Sequence, residues 1–127
     1  MKRNLILIAV CGALAALAAV APASAKDGDI RVAGKCSGPT TAKLKLSQEN
    51  GRIEVELEVD QNRNGVTWNV VLKRNGSEVA RLARVTKAPS GSFSARKLVA
   101  NSAGADVITA TARRAGETCT ARATFPG

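Results

Sequence analysis

The chain contains no histidine and no tyrosine, and aromatic residues make up 2% of it. Each shortage removes a class of chemistry. Without imidazole there is no usual general base, so serine and cysteine triads built on histidine are excluded, as is histidine-ligated zinc. The aromatic residues are Trp68, Phe93 and Phe125, too few to form a stacking platform for nucleobases. A carboxylate pair for glycoside hydrolysis remains conceivable in principle, but the rings that flank sugar sites are missing. No motif points to a serine–lysine pair. The expectation is a protein that is not an enzyme, with no catalytic residues, no cofactor and no metal centre.

Cysteine is scarce as well, at Cys11, Cys36 and Cys119. The first lies in what reads as a targeting segment. Lys2 and Arg3 precede an uninterrupted apolar run from Leu5 to Ala21, Pro22 ends the run, and Ala23-Ser24-Ala25 offers the small residues needed before cleavage. A retained anchor is the competing reading, but the run sits at the lower limit for spanning a bilayer and no basic stop follows it. Val10 is too large for the residue before a lipidated cysteine. Residues 1–25 are therefore expected to be a signal peptide and 26–127 a single secreted, extracellular domain. Removing Lys2 and Arg3 from the 19 basic residues leaves 17 against 10 acidic ones, a net charge of +7. In an oxidising space the remaining pair, Cys36 and Cys119, predicts one disulfide.

What the chain has in abundance is alternation. Ile53, Val55, Leu57 and Val59 alternate with Glu54, Glu56 and Glu58, and Ala42, Leu44 and Leu46 alternate with Thr41, Lys43, Lys45 and Ser47. Period two with one apolar face is a strand signature. Asn50-Gly51 between the runs predicts a two-residue hairpin. That turn places Lys45 opposite Glu56, Lys43 opposite Glu58, Leu44 opposite Leu57 and Leu46 opposite Val55. The three glutamates then read as a solvated ladder with lysine partners rather than a metal cluster. A second turn at Asn75-Gly76 places Lys73 opposite Glu78, Leu72 opposite Val79, Trp68 opposite Ala83 and Val66 opposite Val85. It also sets Val70 against Arg81, a mismatch that signals a snorkelling arginine or a register fault.

Further strands are expected over Ile30–Cys36, as an edge strand, and over Ser92–Val99, Asp106–Arg113 and Glu117–Phe125. Seven or eight short strands at this spacing predict an all-β, antiparallel β-sandwich. A lone tryptophan in the third long strand, just after a short loop, makes residues 36–125 resemble an immunoglobulin-like sandwich. Two departures accompany the likeness: the cysteines lie near the chain ends rather than between the sheets, and there is no tyrosine corner. The stretches KLKLSQENGRIEVELEVDQNRNGVTW (43–68), APSGSF (88–93) and GETCTARATF (116–125) also resemble small secreted actinobacterial proteins that carry no assigned activity. That resemblance implies a compact exported domain and no catalytic residues.

One stretch has the look of a site. Asp60, Asn62, Asn64 and Gly65 satisfy the opening positions of a calcium loop. Its last ligand position falls on Val71, which cannot coordinate, so a turn is the better reading. The basic residues are spread along the sequence rather than gathered into one run. The leading expectation is a secreted, non-catalytic binding or surface-interaction module. Its candidate loops are Gln61–Gly65, Ala88–Ser92 and Ala100–Ala105. The alternatives are an inhibitor of an extracellular hydrolase, a weak calcium module, or attachment to a cell-wall or other anionic polymer. No membrane span is expected after cleavage.

Overall fold

The computed structural model of the chain describes residues 28–127; the expected signal peptide over 1–25, with Cys11, lies outside them. Nine strands and no helix are found among the described residues: β1 (Ile30–Ala33), β2 (Lys35–Cys36), β3 (Thr41–Glu49), β4 (Arg52–Asp60), β5 (Thr67–Arg74), β6 (Ser77–Val85), β7 (Ser92–Ala100), β8 (Asp106–Arg114) and β9 (Glu117–Phe125). They form two antiparallel sheets, β1-β3-β4-β7 and β2-β9-β8-β5-β6. β1 and β2 close one side, and β7 and β6 are the edges of the other.

The first hairpin follows the arithmetic of its turn. Asn50 and Gly51 both take positive φ, at 47° and 75°, as a type I′ turn requires. Lys45 pairs with Glu56, Lys43 with Glu58, Leu44 with Leu57 and Leu46 with Val55. Leu44, Leu46, Ile53, Val55, Leu57 and Val59 are all sealed from solvent. Each such side chain is worth about 1.5–3 kcal/mol over an exposed one. Ser47, expected on the solvated face, is buried as well.

The second hairpin departs from the simple turn arithmetic. Its pairing is as expected beside the turn, with Lys73 opposite Glu78, and then slips by one residue between Leu72 and Lys73. Val79 is the extra residue on β6. Beyond it Leu72 faces Ala80, Val70 faces Leu82 and Trp68 faces Arg84, in place of the Val79, Arg81 and Ala83 expected. Thr67 takes the position opposite Val85 that was expected for Val66. The bulge removes the Val70–Arg81 mismatch by sending Arg81 to the outer face. A bulge on an edge strand also discourages pairing with another chain.

The N-terminal segment is two strands rather than one. β1 pairs with β3, and β2 pairs with β9 in the other sheet. The crossing is made at Gly34, whose N–H donates to the Ala42 carbonyl at 2.8 Å. A Cβ at residue 34 would stand 3.1 Å from both the Ala42 methyl and the Thr120 carbonyl oxygen. Only a residue without a side chain passes comfortably between the sheets there.

Inside, β3 packs across the interface against β9. The inward residues of β3 include Leu44 and Leu46, and those of β8 and β9 include Ala110, Ala112, Ala121 and Ala123. Large against small fills the interlayer space. Trp68, fully buried, reaches Phe93 of the opposite sheet with ring centroids 6.3 Å apart.

Cys36 and Cys119 are directly paired in register and joined by a disulfide, with Cα atoms 4.0 Å apart and a sequence separation of 83 residues. On the chain-entropy account, closing so long a loop contributes about 4–5 kcal/mol. The paired change Cys36→Ala/Cys119→Ala is expected to remove most of that, read as a lower urea midpoint. Gly91→Ala is expected to cost at least about 2 kcal/mol. Residue 91 has φ +67°, and a methyl there would lie 2.1 Å from the Arg63 nitrogen.

Candidate binding surface

At one end of the sandwich, two of the three candidate loops lie side by side. Gln61 N–H donates to Gly91 carbonyl at 3.0 Å, and Gly65 N–H to Thr86 carbonyl at 2.8 Å. The Thr86 hydroxyl donates to the Arg63 carbonyl and accepts from Val66 N–H. The third loop, around Ala100–Ala105, is at the opposite end. There Arg74 donates to the Ala100 carbonyl at 2.7 Å, and Asp106 accepts from Asn75 and from Ser102 N–H. The three loops do not form one surface.

Within the first loop, Asp60 Oδ1 accepts from Asn62 N–H at 3.1 Å, and Asn62 and Gly65 take positive φ. This is a side-chain-capped turn. Residue 71 lies inside β5, on a strand rather than in a returning loop.

The same end holds a buried polar group. The Thr40 hydroxyl donates to Glu117 Oε1 at 2.7 Å, and Thr40 N–H donates to Oε2 at 3.2 Å. Arg114 Nη2 donates to Oε1 at 3.1 Å, and the guanidinium lies over the Trp68 ring at 5.6 Å. Trp68 Nε1 donates to Gln61 Oε1 at 3.0 Å. Burial works against ionising Glu117, yet the Thr40 hydrogen bonds and Arg114 together hold its carboxyl below the ordinary glutamate value. Glu117 lies close to Cys36 and Cys119, but both sulfurs are spent in the disulfide. The group is a brace that ties the start of β3 to β9.

The outer faces of the two sheets differ in charge. On the four-stranded sheet, Arg31, Lys43, Lys45, Arg52 and Arg96 are interleaved with Glu49, Glu54, Glu56, Glu58 and Asp60. The lysines stand opposite the glutamates as expected, but the ion pair formed by Glu56 is with Arg96, across on β7. On the five-stranded sheet the outward charged residues are Lys35, Lys73, Arg81, Arg113 and Arg122, with Glu78 as their one acidic neighbour among the described residues. Glu78 is engaged by Arg81, which lowers its carboxyl below the usual range, and it stands opposite Lys73. The other two carboxylates of this sheet, Asp106 and Glu117, are buried.

The basic residues named divide evenly between the two faces, and it is the scarcity of exposed carboxylates that leaves those of the five-stranded sheet uncompensated. The signal was available only through register: Lys35, Arg113 and Arg122 share a parity that pairing alone reveals. Between them stand Thr109, Thr111, Thr118 and Thr120. Around the β6 edge a groove of 390 Å³ opens toward β7, lined by Arg84, Val85, Lys87 and Phe93 among others. It adds two cations and no carboxylate.

No protein-family model, curated protein or solved structure matches this chain. No helix among the described residues is long and apolar enough to cross a membrane.

Two outcomes are expected from this geometry. Calcium at several millimolar should leave the melting temperature unmoved; a rise that a chelator reverses would restore the metal reading. Glu117→Gln should lose about 2 kcal/mol at neutral pH. Because the folded carboxyl titrates below the unfolded one, its stabilisation is complete above the unfolded value of about 4.3. It is lost as pH falls through the folded value. Chemical denaturation from neutral pH into this acid range should show that component in the parent and not in the variant.

Proposed function

We propose that this protein is a secreted, non-catalytic binding module built on an immunoglobulin-like sandwich. The observation that carries the binding reading is the cationic outer face of the five-stranded sheet, against a charge-balanced opposite face. A charge that served solubility alone would have no reason to segregate. Segregation creates a directed field that draws an anionic partner to one side.

The immunoglobulin-like assignment draws on strand order. With β1 and β2 set aside, three strands (β3-β4-β7) face four (β9-β8-β5-β6), and the tryptophan lies on β5, which begins the second sheet after β4. The disulfide differs in lying within one sheet. Export is supported by that disulfide and by the N-terminal sequence. The lack of histidine supports the absence of turnover.

The tied loops at 61–65 and 86–91 favour a second reading, a rigid inhibitory loop aimed at an extracellular hydrolase. The two separate in one experiment. The purified protein, mixed with the producer's cell-wall fraction, is expected to be retained and then released by 1 M salt, where the screening length is about 3 Å. A panel of secreted proteases and glycosidases is expected to run at unchanged rates. Passage through the wall fraction without retention, or a slowed hydrolase, would overturn the binding reading.

A further inference from the structure

We infer that the ligand of this face is a linear phosphodiester polymer without bases, of the polyol phosphate kind. The inference rests on the binding-module reading and adds the chemistry of the partner.

The cations are arranged for a chain rather than for a single anion. Lys35 lies on β2, Arg122 on β9, Arg113 on β8 and Lys73 on β5. Strands are about 4.8 Å apart and residues rise about 3.4 Å, so in this register the positions are separated by about 8 to 16 Å. A single phosphate can be shared by the nearest two through their long side chains but cannot engage all four, whereas a flexible polyanion crossing the strands meets each in turn. All four side chains are exposed.

The donor set favours phosphate. Arginine offers a planar fork to anionic oxygens. Threonine hydroxyls and lysines join it in contacts to phosphodiester backbones. Thr109 and Thr120 occupy positions between the cations, in register with Arg122 and Lys35 respectively.

The same face argues against nucleic acid. Trp68, Phe93 and Phe125 are all buried in the core, so no aromatic ring here offers a platform on which bases could stack. A broad pleated sheet does not enter a duplex groove, which admits a helix or a two-stranded ribbon. It argues against a membrane too. Val71 and Val107 are half-buried, and Val85, at the β6 edge, is the one large apolar side chain exposed on this sheet among the described residues, too little to anchor an insertion. Recognition is left to backbone charge alone.

The test uses purified protein and labelled poly(glycerol phosphate), read by fluorescence anisotropy. With four cations engaged, log affinity should fall against log salt with a slope of about −3, or about fifty-fold between 50 and 200 mM. Lys35→Gln/Arg113→Gln/Arg122→Gln should weaken binding at least tenfold and flatten the slope by about 2. The single change Arg113→Gln should flatten it by about 0.7. Lys43→Gln/Lys45→Gln/Arg52→Gln, on the other sheet, removes the same charge and should leave affinity within about twofold. Matching melting temperatures are required of all variants. Equal loss in both triple variants would reduce the effect to net charge and overturn the inference. So would equal or tighter binding of oligo(dT), polyglutamate or anionic phospholipid vesicles. Wall retention that persists after hydrofluoric acid has stripped phosphodiester polymers would also overturn it, while leaving the binding-module reading standing.

Discussion

The pleat of a sheet has a parity, and which side chains of this protein meet the core and which meet solvent follows from the parity each strand adopts. A slip of one residue exchanges inside for outside along a whole strand. The Asn50-Gly51 turn fixes that parity for β3 and β4, and burial of six large apolar residues enforces it. On β6 the parity is changed in mid-strand by the extra residue Val79. The change turns Ala80, Leu82 and Arg84 inward and Arg81, Ala83 and Val85 outward, which is why Val85 is among the exposed large apolar residues. The bulge thus relieves a buried arginine opposite Val70 at the cost of an exposed valine on an edge.

Closure of the sandwich uses a different device. The N-terminal segment leaves one sheet and joins the other at Gly34, so a single stretch of chain borders both layers. The disulfide then fixes its second half to β9 from the core side of the sheet. Thr40, just downstream, is held by Glu117, and Glu117 by Arg114. A buried carboxylate is costly unless its oxygens are occupied. Here both are occupied, and the result is a polar clamp beside the sulfur bridge. Gly38 leaves the room this requires, since a Cβ there would stand 2.6 Å from a Glu117 oxygen.

These arrangements give the two faces their different characters. The four-stranded sheet has a central strand rich in glutamate between neighbours that carry lysine and arginine, so its outer surface is internally compensated. The five-stranded sheet hides two of its three carboxylates, Asp106 and Glu117, at strand ends in the core, where they serve as anchors. Its outward charged positions are left to lysine and arginine, with Glu78 the one exposed carboxylate on this sheet among the described residues. The binding proposal grows out of that difference, since a surface compensated at each position has little free attraction to offer a polyanion.

The sequence by itself determined the all-β class, the hairpins at Asn50-Gly51 and Asn75-Gly76, the pairing of Cys36 with Cys119 and the burial of Trp68. All are local in origin, or follow from counting two cysteines, because turn residues and period two act over a few positions. The bulge at Val79 was legible as a fault, through Val70 and Arg81, but not as to its place, because any of several positions could have absorbed the extra residue. The crossing at Gly34 left only the glycine itself as a local trace, since both halves of Ile30–Cys36 alternate alike and nothing nearby says that the second half changes sheets. Tertiary structure alone decided which loops meet and that Lys35, Lys73, Arg113 and Arg122 share a face. Those residues lie on four strands far apart in sequence, and only the order in which hydrogen-bonded neighbours assemble brings them together.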